Sequence, residues 1–268
     1  MLKFFSLLCA TFILTACATV PPPLPTLNDS FVPLASDHRV RYEPGSENAA
    51  SQVATLLPVA IQQVEAAHAR AFLGSVLVHV CGTNDCFKRY VFTPNVSAAT
   101  APDNLVFLGP QLFGRELHRL PGILTHELSH LHLGQQIGHY THTVPAWFHE
   151  GLATFAANGA GADYASDEQA INSLRQGRAF DPEQRDSDIK RHTADHWGMD
   201  VFVFYRQALL FVNFLREESA VGFSSFINAV QDNQDFDLAF RNAYNRSLKE
   251  AGEHFRQFHS VQSVVLNP

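Results

Sequence analysis

Two histidines and a glutamate near the middle of the chain have the residue types and spacing of a metal site. His126, Glu127 and His130 form the pattern His-Glu-x-x-His. Side chains four residues apart lie one above the other on an α-helix, so both imidazoles can reach one ion. Glu127 is turned about 100° around the helix from His126. This position suits a carboxylate that acts on a water molecule rather than on the metal itself.

The pattern needs a third ligand, and Glu150 is the candidate. It lies in the run Trp147-Phe148-His149-Glu150-Gly151, with nineteen residues between it and His130. A chance match to so short a motif is the alternative. The helical spacing of leucines around His126 and the second helix predicted to begin near Pro145 argue against chance.

Together the two motifs resemble the gluzincins, the thermolysin-like clan of zinc metallopeptidases, and within it the peptidase-MA-like bacterial proteins. The resemblance is strongest over residues 121–155 and implies one zinc ion held by His126, His130 and Glu150. It also implies that Glu127 is the general base on a zinc-bound water. Thermolysin has an aspartate four residues after its glutamate ligand, oriented toward the first histidine. Thr154 stands at that position here, which leaves the outer partner of the metal ligands unassigned.

Peptide hydrolysis also needs a donor for the charge that develops on the carbonyl oxygen. Gluzincins take a His or Tyr from their C-terminal helical part, and weaker resemblance runs through Tyr205-Arg206-Gln207-Ala208 to about residue 259. Tyr205 is therefore the candidate, with His196 and Tyr140 in reserve. The alternative is that Tyr205 simply packs in an aromatic helix.

Further histidines crowd the motif region, and a second metal is one interpretation of them. Surface or hydrogen-bonded side chains are the simpler interpretation. These residues are His118, His132, His139, His142 and His149.

The N-terminus predicts export and a lipid anchor. A short basic start precedes an apolar run from Phe4 to Ile13, which is too short to span a bilayer. Leu14-Thr15-Ala16-Cys17 resembles a bacterial lipoprotein box, so residues 1–16 would be removed and Cys17 acylated. An ordinary signal peptide is the alternative. Ala18 implies sorting to the outer membrane, facing the periplasm, by resemblance to Gram-negative lipoproteins.

The remaining chain is organised as a linker and one large domain. Residues 17–44 are expected to form the anchor and a proline-rich spacer, and residues 45–262 the metallopeptidase domain. A hydrophobic content of 46% supports a substantial core. The net charge of −7 gives no basic surface for nucleic acid.

Cys81 and Cys86 flank a turn-like run between two apolar segments. In an oxidising compartment this predicts a disulfide that pins a hairpin. A free pair or a metal-binding pair is the alternative.

The expected fold class is α+β: a small mixed sheet packed on the His-Glu-x-x-His helix, then a mainly helical lobe. A helix over residues 47–71, interrupted near Pro58, is followed by strands at 75–81, 87–93 and 104–108. The resemblance makes Asn104–Leu108 a candidate for the edge strand that pairs with substrate; an ordinary buried strand is the alternative. Helices are predicted from Ser166 and near 200–218, 221–232, 235–244 and 246–259.

Two function classes follow. The first is a membrane-anchored zinc peptidase that cleaves exported proteins or peptides. The second is a non-catalytic zinc-binding scaffold that binds an envelope partner. Glu127 favours catalysis, as does the lack of an evident fourth ligand, because structural zinc sites are usually closed by four. The absence of a recognisable amine-binding motif favours an endopeptidase over an aminopeptidase.

Overall fold

The computed structural model describes residues 27–93, 95–101, 105–138, 143–183 and 191–265. The leader, Cys17, the proline-rich spacer, His139, Tyr140 and His142 lie outside these residues, and what the sequence indicates for them stays a prediction. No helix in the described part of the chain has the length and apolar character needed to cross a membrane.

The N-terminal part is built on a mixed five-stranded sheet. Its strands are β1 (Val32–Leu34), β2 (Asp37–Tyr42), β3 (Val78–Val80), β4 (Ala98–Ala101) and β5 (Leu105–Leu108). Their order is β1-β2-β3-β5-β4, with β2, β3 and β5 parallel and each outer strand antiparallel to its neighbour. The central strands β3 and β5 are almost entirely buried because both faces of the sheet are covered.

Helices make up most of the rest of the described chain. They are α1 (Leu27–Ser30), α2 (Glu47–His68), α3 (Asn84–Tyr90), α4 (Leu120–Ile137), α5 (Ala146–Ala156), α6 (Asp167–Arg175), α7 (Val201–Glu218), α8 (Ala220–Gln231), α9 (Phe236–Tyr244) and α10 (Leu248–Val265). The small mixed sheet followed by a helical C-terminal region confirms the α+β fold class. The predicted C-terminal helices correspond to α7–α10, the last of which runs on to Val265.

The folded region begins earlier than the expected boundary near residue 45. β1 pairs with β2, and β2 pairs with β3, so residues 32–42 belong to the sheet. The sequence signal of β2 is weak because Val40 is the one fully buried side chain among its 6 residues. The segment assigned to the linker is therefore in part a component of the fold.

The predicted interruption of α2 near Pro58 was wrong. The helix is continuous from Glu47 to His68 and buries a stripe that includes Val53, Leu57 and Val64 against the sheet. Proline removes one backbone hydrogen bond inside a helix. Here Pro58 lies on the exposed face, where water can satisfy the freed carbonyl group.

The strand predicted at 87–93 was wrong, and with it the hairpin. Residues 84–90 form α3, because Thr83 acts as an N-cap: its side chain accepts a hydrogen bond from the Cys86 backbone N–H. The turn-like residues between the cysteines thus start a helix. The disulfide between Cys81 and Cys86 is confirmed, and it ties α3 to the end of β3.

Of the two interpretations of Asn104–Leu108, the edge strand was wrong, and the ordinary buried strand is confirmed for residues 105–108. β5 lies between β3 and β4, and β4 is the edge strand of the described sheet on the side of α4. Strands of only four residues do not reveal their order in a sheet, since that order depends on how the segments pair.

The helical part positions α5 against α7. Trp147 and Phe148 at the start of α5 enter a core of aromatic rings that includes Phe211, Phe226 and Phe236. Gly151 permits close contact, because a Cβ atom there would lie 2.8 Å from the Ala208 carbonyl oxygen of α7. The helix that carries Glu150 is therefore held against the helix that carries Tyr205.

Candidate metal centre

His126 and His130 project from one face of α4, as their spacing predicts. The two Nε2 atoms are 3.1 Å apart, and the ring of His126 is almost completely buried. The helix is rigidly placed because its opposite face packs on α2 and the sheet. The two imidazoles are thus presented together without any rearrangement of the backbone.

Glu150 completes a triangle of possible ligand atoms. Its Oε2 atom lies 3.4 Å from Nε2 of His126 and 3.5 Å from Nε2 of His130. Nitrogen and oxygen ligands about 2.0–2.2 Å from a tetrahedral ion lie about 3.3–3.6 Å from one another. These three residues form a group that could hold a metal ion, and it is the one group of this kind in the described part of the chain.

The chemistry of the triangle fits a cation. Glu150 Oε2 is buried and has no hydrogen-bond partner among the described residues. Burial opposes ionisation of this carboxyl, but His130 and His126 hold its pKa well below the usual range. Burial also disfavours the charged form of His130, but Glu150 and Glu127 outweigh it and raise the pKa of that ring. The carboxylates therefore favour positive charge between them, which a divalent ion would supply.

Glu127 is held by a residue that the motif does not include. Thr100, on the edge strand β4, donates a hydrogen bond from its hydroxyl to Oε2 of Glu127 at 2.9 Å and also lies 2.9 Å from the Glu127 carbonyl oxygen. The Glu127 side chain is buried. It lies next to the metal ligands in sequence but is fixed to the neighbouring strand, as suits a base rather than a ligand.

Tyr205 lies at the same site. Its ring stacks on that of His126, with the centroids 5.9 Å apart and the planes inclined by 15°. Burial raises the pKa of the Tyr205 hydroxyl well above its ordinary value, and the nearby charge of Glu150 raises it further. The hydroxyl is therefore a donor at neutral pH. The reserve candidate His196 packs against His192 and Trp197 instead.

A backbone carbonyl is the hydrogen-bond partner of the other ring nitrogen of His126. Nδ1 of His126 lies 3.2 Å from the Ala160 carbonyl oxygen, in the loop that follows α5. Donation from Nδ1–H to this oxygen leaves the Nε2 lone pair directed at the other two ligands. Thr154 is fully buried, and its hydroxyl has no hydrogen-bond partner among the described residues.

Gly161 lets this loop reach His126. It has φ of +97°, and a Cβ atom there would lie 2.5 Å from Nδ1 of His126. We expect Gly161→Ala to displace the ring and to weaken zinc binding by about 10–100-fold, the usual effect of disturbing an outer partner of a ligand. Titration of the metal-free protein with zinc measures the affinity.

Gly45→Ala is the control for backbone strain. Gly45 has nearly the same φ, +95°, but its Cβ atom would meet nothing within 4 Å. Both substitutions force a side chain into an unfavourable backbone conformation, at a cost of about 1–3 kcal/mol. Only Gly161→Ala should alter zinc affinity, and equal affinities would show that the loop does not position His126.

Of the other described histidines in the motif region, His118 is exposed, whereas His132 and His149 are buried. His132 is buried, and its Nε2 donates to the Arg70 carbonyl oxygen at 2.9 Å. His149 is buried with its ring 6.0 Å from that of His130, outside the triangle of ligand atoms. Neither forms a second group of metal ligands within the described residues.

The sequence predicts the motif residues but not the groups that hydrogen-bond to them. Thr100 and Ala160 lie outside any local pattern, and Ala160 acts through its backbone. The Asn158-Gly159-Ala160-Gly161 run could have indicated a tight turn next to the ligand helix, but not its contact with His126. No protein-family model matches this chain, and no match was found among curated proteins.

Proposed function

We propose that this protein is a zinc-dependent peptidase of the gluzincin type, acting as an endopeptidase on exported proteins or peptides. The observation that carries the proposal is the placement of Glu127. Its side chain is buried, its charge acts on the ring of His130, and its carboxylate is tied to the edge strand through Thr100. A site that served only to hold a structural metal would not need a carboxylate fixed in this way.

The metal assignment follows from the donor set. Two imidazole nitrogens and one carboxylate oxygen are typical of catalytic zinc, which keeps its fourth position open. His126, His130 and Glu150 would hold the ion. When bound, zinc polarises water and the substrate carbonyl group.

The residues around the metal supply the proton transfers and a hydrogen bond. Glu127 removes a proton from the attacking water and delivers it to the leaving amine. The Thr100 hydroxyl keeps the Glu127 carboxylate oriented. Tyr205 donates a hydrogen bond to the carbonyl oxygen as negative charge develops there, an interaction that is strongest in the transition state.

The edge strand β4 provides a backbone for substrate binding. One side of β4 pairs with β5, and the other side is open within the described sheet. An extended peptide can add to such an edge by main-chain hydrogen bonds. Because Thr100 lies on β4 and contacts Glu127, a peptide bound there would pass the catalytic carboxylate.

Metal removal tests the proposal. The zinc-loaded protein should cleave an unfolded protein such as reduced, alkylated casein at internal bonds. Dialysis against a chelator should abolish cleavage, and about one equivalent of zinc per chain should restore it. Mass spectrometry of the fragments measures cleavage. Unchanged cleavage after complete metal removal would contradict the proposal.

The N-terminal sequence is the basis for the proposed location of the protein. We propose that Cys17 is acylated and anchors the enzyme in the cell envelope through the Leu14-Thr15-Ala16-Cys17 motif. The mass of the mature N-terminal peptide tests this, since an unmodified terminus at another residue would exclude the anchor.

A further inference from the structure

A groove of about 650 Å³ is lined in part by elements that also build the candidate metal centre. We propose that this Tyr164 groove, lined among others by Lys88, Phe92, Arg115, Tyr164 and Phe202, selects substrates. It would receive an aromatic side chain and adjoining acidic residues of an extended peptide. This role in selecting substrates goes beyond the proposed peptidase function and rests on it.

Three elements that build the metal centre continue into the groove. The first element is β4. Ser97, the residue before this strand, lines the groove, and Thr100 on the strand contacts Glu127. In the loop after α5, Tyr164 lines the groove, while Gly161 lies against His126. The groove and the site are therefore built in part from the same elements.

The third element, α7, also contributes to both the groove and the site, and its geometry indicates how far apart they lie. Phe202 lines the groove and Tyr205, one turn later, stacks on His126. Three residues correspond to about 4.5 Å along a helix and about 10 Å along a strand. A peptide on β4 would thus reach the groove about three residues from the bond that is cut.

The groove exposes aromatic surface, and one of its rings is held in place. Phe92 is 88% exposed and Tyr164 is 58% exposed. Tyr164 packs edge-on against Phe202 with the centroids 4.8 Å apart, and the Arg119 guanidinium lies 5.0 Å from its ring centroid. A partly exposed ring held in this way can bind an aromatic side chain at a small cost in conformational entropy.

The charge of the groove is opposite to that of the whole protein. Lys88, Arg115 and Arg119 line it together with one carboxylate, that of Glu116, in a chain of net charge −7. Arg119 is nearly buried and is neutralised by Glu116 at one side and Asp163 at the other. The cations available to a ligand are therefore the exposed Lys88 and Arg115, the latter 76% exposed although it also contacts Glu116.

This combination favours one occupant. Apolar surface alone would accept many partners, and cations alone would bind any anion. Exposed rings beside two cations, in line with the edge strand, select an extended peptide with a Phe or Tyr next to Asp or Glu.

Binding can be measured separately from cleavage. The probes are three fluorescein-labelled twelve-residue peptides of Gly and Ser that carry Phe-Asp-Asp, Phe-Lys-Lys or Ala-Asp-Asp. They are titrated by fluorescence anisotropy against the zinc-loaded full chain carrying Glu127→Gln, so that no probe is cut. We expect the Phe-Asp-Asp peptide to bind at least about tenfold more tightly than the Phe-Lys-Lys peptide, as two partly exposed charge pairs would give.

Groove variants assign the preference to its residues. Lys88→Glu with Arg115→Glu should abolish or reverse the preference for acid, whereas Arg241→Glu with Lys249→Glu, an equal charge change at exposed sites on α9 and α10, should leave it intact. Tyr164→Ala should remove the advantage of Phe-Asp-Asp over Ala-Asp-Asp. Equal binding of the acidic and basic peptides, or a preference unaffected by the groove variants, would overturn the inference.

The two proposals can fail separately. If the wild-type protein cleaves unfolded casein but shows no preference among the three peptides, the groove proposal is wrong and the peptidase proposal stands. If the preference is found without any cleavage by the wild-type protein, the groove binds peptides and the peptidase proposal is wrong.

Discussion

Replacing Glu127 with glutamine is expected to lower peptide hydrolysis at least about a hundredfold while leaving the metal and the fold in place. The amide keeps an oxygen that can accept the hydrogen bond from Thr100, so the side chain should stay where it is. It cannot accept a proton from water, and the general base is lost. Initial rates on unfolded casein, compared at equal zinc content, give the effect.

Glu168→Gln is the control, because it makes the same chemical change at an exposed position of α6. It should cleave as the wild-type protein does. A Glu127→Gln protein that keeps full activity would show that this carboxylate is not the base.

The same variant distinguishes the peptidase from the scaffold. A scaffold needs the metal and the fold but not the base, so Glu127→Gln should then rescue a strain that lacks the gene. A peptidase predicts no rescue at matched protein levels. Full rescue would leave the zinc site as a structural element of a partner-binding protein.

The metal triangle could be predicted from sequence because its geometry is mostly local. The helical repeat sets the relation between His126 and His130, and the helix that begins after Pro145 brings Glu150 to them. Only the packing of α5 against α4 had to be supplied by the resemblance. The distances of 3.1–3.5 Å among the three ligand atoms agree with that reasoning.

The errors have two physical origins. Residues 87–93 have the pattern of a strand because apolar residues follow a turn, but the Thr83 cap and the disulfide commit residues 84–90 to a helix. The edge strand β4 has little strand signal because residues 98–101 are rich in alanine. Local propensity cannot identify this strand, since its pairing with β5 determines its place in the sheet.

The outer partner of His126 shows a different limit. The resemblance predicts an aspartate where Thr154 stands, which leaves the outer partner unassigned from sequence. The Ala160 carbonyl oxygen is the acceptor, and the left-handed Gly161 allows its loop to approach His126. A backbone atom has no residue type, so no motif could have indicated it.

Replacing Glu150 with alanine is expected to reduce zinc affinity more than about a hundredfold, beyond the effect usual for an outer partner. The carboxylate is one of three converging ligands, and its Oε2 has no hydrogen-bond partner among the described residues. The zinc content after gel filtration, measured by elemental analysis, should fall from about one ion per chain to near none.

Thermal unfolding provides an independent measure of the same loss. Zinc at 100 times its Kd should stabilise the wild-type protein by about 2.7 kcal/mol, which corresponds to about 5–10 °C in Tm for a domain of this size. Glu150→Ala should show little of this shift. Thr154→Val is the control, because Thr154 lies one turn later on α5 and its buried hydroxyl has no partner in the described residues. This variant should keep both the bound zinc and the zinc-dependent rise in Tm. A folded Glu150→Ala protein with undiminished zinc would remove Glu150 from the metal site, since the two histidines would then hold the ion without it.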